Sequence, residues 1–186
     1  MSLTSAQLAA VKADILASGD LNANPNNADG NFAIAALYNQ LASPDYFVWQ
    51  TSVPVDAIAD AIVFANMTPA QAPDGTQAWA NRALQCQGKQ FNLQNLLLGK
   101  SSINAAKANI RAAFQDCLTQ LPSKSHGTNQ AAGWVQVQLA MSRKATRVEK
   151  LLVNAGAGGN GTQATPSTMG YEGAISYTDV EQARNS

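Results

Sequence analysis

The sequence predicts an all-α protein with a helical, bundle-like body and an extended C-terminal arm. Apolar residues recur at spacings of three and four through most of the first 150 residues, and capping motifs, Gly and Pro separate these stretches. No hairpin signal or internal repeat interrupts them. A Gly/Thr-rich stretch then precedes a segment with renewed apolar content. We therefore expect a helical body at 1–154, a flexible linker at 155–168 and a docking arm at 169–186.

The first helix is predicted from a capping motif and an apolar stripe. Thr4–Gln7 fits a capping box, in which each residue bonds the backbone N–H of the other. Leu8, Val11 and Ile15 follow at helical spacing, and Gly19 is placed to end the helix.

Two further helices are predicted before the centre of the chain. One begins near Asp29, carries Ile34 on its apolar stripe, and must end before Pro44 because the residue preceding a proline disfavours helix. The other opens with Pro54 in its first turn, a position where the missing N–H of proline costs nothing.

The central part of the chain predicts two more helices. A long one runs over about 76–98, where Gly88 is a point of kinking or splitting. The next runs over 101–121, has the clearest apolar stripe in the chain, and ends at Pro122.

Shorter elements are predicted toward the C-terminus. Residues 128–141 have helical periodicity, and Thr146–Glu149 is a second capping box. In the arm, Ala174–Tyr177 alternates like a short extended segment and Thr178 begins a final helical turn.

The composition favours protein–protein contact. Only 13% of the 186 residues are charged, against roughly 25% in typical globular proteins. Ala, Asn and Gln replace the missing charges. Uncharged polar surfaces cost less to desolvate than charged ones, so such surfaces suit a protein interface.

Charge is unevenly distributed although the net charge is zero. Residues 1–75 hold one Lys against seven Asp (−6), residues 76–150 hold ten Lys/Arg against two acids (+8), and the remainder carries −2. Oppositely charged halves can attract within one subunit or between neighbouring subunits.

A basic cluster lies near the end of the body. It can contact a neighbouring subunit or phosphates, or form a solvated helix face; its members are Arg143, Lys144, Arg147 and Lys150.

No pattern predicts catalysis, a cofactor or a metal. The stretch 156–161 matches G-x-G-x-x-G, but a helix precedes it and a Thr/Pro-rich spacer follows, so we interpret it as a hinge. Residues 24–30 have the wrong spacing for a calcium loop. His126 is the only histidine, in a loop without a second ligand type nearby, and no acid–base constellation assembles around it. We expect no enzyme activity.

Cysteine usage and hydropathy indicate a reducing compartment and no membrane contact. Cys86 and Cys117 each fall in a helical pattern, which predicts buried, reduced thiols. The sequence shows neither a signal-peptide pattern nor an apolar run of the roughly 18–20 residues that cross a bilayer.

Several segments together resemble head and tail morphogenesis proteins of tailed bacteriophages, and most of all a head–tail connector, or adaptor. The resemblance is spread over most of the chain and contains no catalytic signature. It rests on the segments 29–39, 48–54, 109–112, 145–150 and 171–180.

The resemblance implies a structural virion protein at the neck, made in the bacterial host cytoplasm. A ring of twelve copies would join the portal to the tail or a stopper protein and line a channel through which packaged DNA passes without sequence-specific binding. The alternatives are another neck tier (stopper or tail completion) and a soluble helical binding module or assembly chaperone.

The resemblance also implies that the C-terminal arm docks onto the portal. The apolar side chains of the arm agree with this reading, and backbone addition of Ala174–Tyr177 to a partner's sheet edge would fit it. The arm residues expected at the partner are Tyr171, Glu172, Ile175, Tyr177 and Val180.

Overall fold

The computed structural model describes residues 3–68, 76–122, 129–153 and 159–186, and for residues 76–78 it describes the backbone alone. The chain forms two compact units. Unit 1 contains residues 1–48 and 144–186, and unit 2 contains residues 49–143. Each unit has its own hydrophobic core.

The described residues are mostly helical, as predicted. They form nine α-helices and one 3-10 turn, Phe64–Met67. The helices are α1 Ser5–Ala17, α2 Gly19–Asn22, α3 Ala28–Tyr38, α4 Val55–Ala61, α5 Thr76–Leu97, α6 Ala108–Leu118, α7 Trp134–Ala140, α8 Arg147–Leu151 and α9 Tyr177–Asn185.

Short strands are also present, so the fold is not purely all-α. Within unit 2, β2 pairs antiparallel with β3 and β4 pairs antiparallel with β5. Each of these strands is only two residues long, which is too short to produce a hairpin signal in the sequence. The strands are β1 Phe47–Trp49, β2 Val53–Pro54, β3 Ser102–Ile103, β4 Leu121–Pro122, β5 Asn129–Gln130 and β6 Ser142–Lys144.

The capping motifs define the helices of unit 1. Thr4 and Gln7 form both bonds of the predicted capping box at α1, and Thr146 and Glu149 form both at α8. Gly19 begins α2 where we expected only the end of a helix. The two capping boxes are confirmed, because each cap satisfies backbone N–H groups that the helix itself leaves unpaired.

Residues 159–168 differ from the predicted flexible linker because the chain packs against its own unit. The N–H of Phe47 donates to the Gly161 carbonyl at 2.7 Å, and the N–H of Ser167 donates to the Phe47 carbonyl at 2.9 Å. The hydroxyls of Tyr46 and Ser167 lie 2.7 Å apart. Backbone pairing at both ends holds the loop in place.

Unit 2 is built on α5 and α6, which pack against each other. α5 is one continuous helix, so Gly88 does not split it. Cys86 and Leu93 face the core, where Phe114 and Leu118 of α6 are fully buried. Both thiols of the chain, Cys86 and Cys117, are free and buried, as predicted.

α6 begins at Ala108 and not at the predicted residue 101. The residues before it pair with an earlier segment: Ile103 lies opposite Val53, and the N–H of Ala105 donates to the Gln50 carbonyl at 3.0 Å. Long-range pairing therefore overrides the helical periodicity of 101–107.

Three predicted features lie outside the described residues. They are the loop carrying His126, the start of a helix at Thr128, and the first part of the hinge at 155–158. Within the described residues, α7 begins at Trp134.

Gly161→Ala should destabilise the protein by about 2 kcal/mol, because Gly161 has φ +76° and an added Cβ would lie 2.0 Å from the Tyr46 ring. Gly19→Ala is the control, since a Cβ there meets nothing within 4 Å. Chemical denaturation of both variants measures the difference. Equal stability of the two variants would contradict the ordering of the 159–168 loop.

Candidate partner-docking site

The C-terminal arm packs into the core of its own unit. In α9, Val180 and Ala183 are fully buried, and the helix packs against α1 and α3. Tyr171 and Ile175 are also buried, in the same cluster as Val11. The structure therefore differs from the expectation that these apolar side chains are available to a partner, because the unit uses them to complete its core.

The extended part of the arm is hydrogen-bonded to the side chain of Asn39, the C-cap residue of α3. The Asn39 amide accepts a hydrogen bond from the Ile175 N–H at 3.0 Å and donates one to the Ile175 carbonyl at 2.9 Å. These are the two backbone groups that addition to a partner's sheet edge would need at this position. Asn39 occupies both, so the expected edge pairing of 174–177 is not open at Ile175.

A buried carboxylate, Glu149, joins the arm to α8. Its Oε2 accepts from the Thr146 N–H at 2.9 Å, and its Oε1 accepts from the Gly173 N–H at 3.1 Å. Glu149 is 1% exposed, and a buried charge needs such bonds to offset its lost hydration. The sequence pattern identified the cap, but not the second oxygen's contact 24 residues away.

Arg184 anchors the far end of α9. Its guanidinium donates to the Pro25 carbonyl at 2.7 Å, the Asn24 carbonyl at 2.7 Å and the Asn31 side-chain oxygen at 2.9 Å. Asn31 is buried in α3. The arm is thus held by apolar burial along its length and by polar contacts at both ends.

Docking of the arm creates one new exposed feature. Tyr177, at the start of α9, stacks on Phe32 of α3 with ring centroids 4.2 Å apart. Phe32 is 55% exposed and Tyr177 37%. Among the predicted arm residues, Glu172 and Tyr177 are exposed, so the face that the docked arm offers is a composite of arm and body.

The basic cluster does not form one face. Arg147 contacts Asp20, with Nη1 and Oδ2 2.6 Å apart, and lies 3.7 Å from Asp14. Lys144 pairs with Asp45 at 2.7 Å. The attraction between the acidic and basic parts of the chain thus acts inside unit 1, one of the two arrangements that the charge pattern allows.

The remaining two cations are placed differently. The Lys150 ammonium lies 5.7 Å from the centre of the Tyr46 ring and 3.5 Å from the Pro44 carbonyl oxygen. Arg143 belongs to unit 2. A cleft of about 650 Å³ in unit 1 is lined by Arg147 and Lys150, but Asp14 and Asp20 also line it, so it is not a phosphate site.

Ion pairing and burial shift several pKa values. The hydrogen bond from Arg147 lowers the pKa of Asp20 and raises that of Arg147 itself. Burial, and then the hydrogen bond to Asp14, raises the pKa of Tyr38, whose hydroxyl donates to Asp14 at 2.9 Å. Tyr38 therefore stays a neutral donor, which positions Asp14 toward Arg147.

The described residues bear on two kinds of chemistry, metal binding and thiol reactivity. No group of three or more His, Cys, Asp or Glu in the described ranges is placed to hold a metal ion. Burial raises the pKa of both thiols, which disfavours the nucleophilic thiolate. Within the same ranges, no helix is long and apolar enough to cross a membrane.

Comparison of the chain with protein-family models, curated proteins and solved structures gave no match. No relative therefore supplies a function for the arm or for either unit.

Asn39→Ala should loosen the arm, because the buried N–H and carbonyl of Ile175 lose their partner. We expect a loss of about 1–3 kcal/mol in unfolding free energy and faster amide hydrogen exchange over 169–186. Asn22→Ala, at an exposed position in α2, is the matched control. Exchange in the arm that is unchanged in Asn39→Ala would contradict this role.

Asp20→Asn should lower the melting temperature at pH 7 and have less effect in acid. The pKa of Asp20 is lowered from 3.8 on folding, so its contribution is present above that value and is lost as pH falls through the folded-state pKa. Melting temperatures of wild type and variant should converge as the pH falls below 3.8. Arg147→Gln should converge in the same way, whereas a constant difference would exclude the ion pair as its source.

Proposed function

We propose that the protein is a structural subunit of a phage neck: a head–tail adaptor that assembles into a ring, joins the portal to the tail and surrounds the DNA channel. The resemblance of scattered segments to phage connector proteins supports this assignment.

The observation that carries the proposal is the number of large apolar side chains left exposed in a chain with few charges. Isolated exposed apolar residues are ordinary, but aligned ones mark interaction surfaces. Here they occur in both units, as expected of a subunit with several neighbours. Those at least 37% exposed are Leu16, Phe32, Leu41, Val63, Phe64, Leu84, Phe91, Leu98, Val135, Leu139 and Tyr177.

A channel through which DNA slides also fits the charge distribution. Tight phosphate binding needs clustered, unpaired Lys and Arg side chains. Arg147 and Lys144 are instead paired with carboxylates of unit 1, and Lys89 pairs with Asp116 in unit 2. Pairing of these cations favours weak contact with passing DNA over retention by binding.

The portal contact is assigned to the composite aromatic face. The arm is fixed to its own unit, so the portal would meet Tyr177 together with Phe32. Stacked aromatic rings supply large apolar area at small entropic cost and are frequent anchors of protein interfaces.

Light scattering of the purified protein, with and without the portal protein of the same phage, tests the assignment. A ring on the portal supports it. A monomer that binds one partner transiently would favour the binding-module or chaperone alternative. Rings that bind a tail component and not the portal would place the protein in another neck tier.

Phe32→Ser combined with Tyr177→Ser should weaken portal binding at least tenfold, because about 1.4 kcal/mol corresponds to one order of magnitude and two anchor rings are removed. Gln182→Ala, an exposed polar change in α9, is the control. Binding can be measured by biolayer interferometry on immobilised portal. Wild-type affinity of the double variant, with the control also unchanged, would exclude this face.

A further inference from the structure

The solvent-facing side of α5 carries an apolar stripe. Leu84, Phe91 and Leu98 are 67%, 63% and 68% exposed. They recur every seven residues, which is close to two helical turns, so they lie along one side of the helix and its C-terminal end. Folding of unit 2 leaves Leu84, Phe91 and Leu98 exposed, since the core contacts of α5 come from Cys86 and Leu93, with Leu96 and Leu97 packed beside them.

The stripe continues into a groove beside the helix. A groove of about 580 Å³ lies between α5 and the 3-10 turn, and Leu98 borders both stripe and groove. The described residues that line it have apolar, amide or hydroxyl side chains, and none of them is charged: Phe64, Met67, Thr68, Gln90, Leu93, Gln94, Leu97 and Leu98. We call stripe and groove together the α5 surface.

The chemistry of the α5 surface argues against a charged partner. In the part of α5 whose side chains are described, only Arg82 and Lys89 are charged, and neither is among the exposed residues. Lys89 turns inward, where its ammonium donates to the Thr119 carbonyl at 3.1 Å. The described residues of the α5 surface present no exposed cation to neutralise phosphates and no exposed acid to select a basic protein.

An uncharged amide-and-leucine surface is suited to another copy of the same chain. Asn and Gln both donate and accept hydrogen bonds, so two such surfaces meet without like-charge repulsion. α5 is about 33 Å long. Helix and groove together, roughly two helix diameters wide, offer an area of the order of the 800 Å² that each partner contributes to a standard interface. A helix of seven residues such as α7, about 10 Å long, covers only part of it.

Unit 2 contains a second, different patch that fits the same chemistry. α7 has no charged residue, and its Val135 and Leu139, one turn apart, are 61% and 40% exposed. A closed ring needs two distinct patches on each subunit, because a patch that pairs with itself yields only a dimer. α6 packs against both α5 and α7, so one rigid core carries both patches.

We propose that the α5 surface of one subunit receives α7 of the next subunit, with Val135 and Leu139 packed against Phe91 and the groove. This head-to-tail contact deepens the proposed function, on which it rests, by assigning the ring interface to unit 2. It is a helix-in-groove contact, in which aligned apolar side chains of a helix enter a groove on the partner.

Disulfide trapping between variants that each carry one added surface cysteine tests the contact. The native thiols are buried, so Phe91→Cys and Val135→Cys supply the reactive ones. An equal mixture of the two variants, oxidised under mild conditions, should give the mixed dimer at least fivefold above either like-with-like dimer. Gln85→Cys, an exposed change off the stripe, should not cross-link to Val135→Cys.

The outcomes separate this inference from the proposed function. Formation of the mixed dimer supports the interface whether or not the portal is bound. Failure to bind the portal would contradict the adaptor assignment alone. Rings by light scattering without the mixed dimer would overturn the α5–α7 contact and leave the adaptor assignment intact. A dominant Phe91→Cys homodimer would overturn it in favour of self-pairing of α5.

A non-covalent measurement checks the same contact without oxidation. Phe91→Ser lies on the surface and should leave the melting temperature unchanged. It should raise the protein concentration needed for half-assembly at least tenfold, whereas Gln85→Ser should not. Unchanged assembly of Phe91→Ser would overturn the proposal.

Discussion

Unit 1 depends on the burial of its own C-terminal helix. Val180 and Ala183 are fully buried where α9 packs on α1 and α3, and full burial of a side chain such as valine contributes about 1.5–3 kcal/mol. The polar contacts of Asn39 and Glu149 then set the register of the arm, since each satisfies backbone groups that burial would otherwise leave unpaired. Residues 1–48 alone leave this core open.

The arm therefore has a different role from the docking role that its side chains predict. A tail with buried-type side chains is typical of a segment that docks elsewhere, and the resemblance to phage adaptors implies docking on the portal. In this chain the same side chains complete the unit, so a body of residues 1–154 lacks part of its core. Under the proposed function, a partner would meet the exposed Tyr177 and its neighbour Phe32 instead of the buried side of the arm.

Features with local causes could be predicted from the sequence. Both capping boxes form as predicted because their partners lie three residues apart. The start of α6 and the 159–168 loop depend on pairing with residues about 50 and more than 100 positions away, near Gln50 and Phe47. No local pattern carries that information. For the same reason, the sequence does not predict that the arm packs against α1 and α3 of its own unit.

The candidate surfaces also combine features that the sequence shows with features that only tertiary packing determines. The cluster of four cations was visible in the sequence, but its carboxylate partners, 99 to 133 positions earlier in the chain for Lys144 and Arg147, were not. The α5 stripe has a seven-residue spacing that the sequence shows. Which side of α5 faces solvent depends on α6, so only the structure separates Phe91 from Leu93.

A low surface charge also has a kinetic consequence for assembly. Charged interfaces accelerate encounter, whereas neutral ones associate at about 10⁵–10⁶ M⁻¹s⁻¹ without steering. With Arg147 and Lys144 paired inside their own unit, contacts through apolar and amide surfaces gain little from long-range attraction. A template that holds subunits side by side raises their effective concentration and compensates for slow encounter. If the protein is the proposed adaptor, the portal would be such a template, and ring assembly would be faster on the portal than in dilute solution.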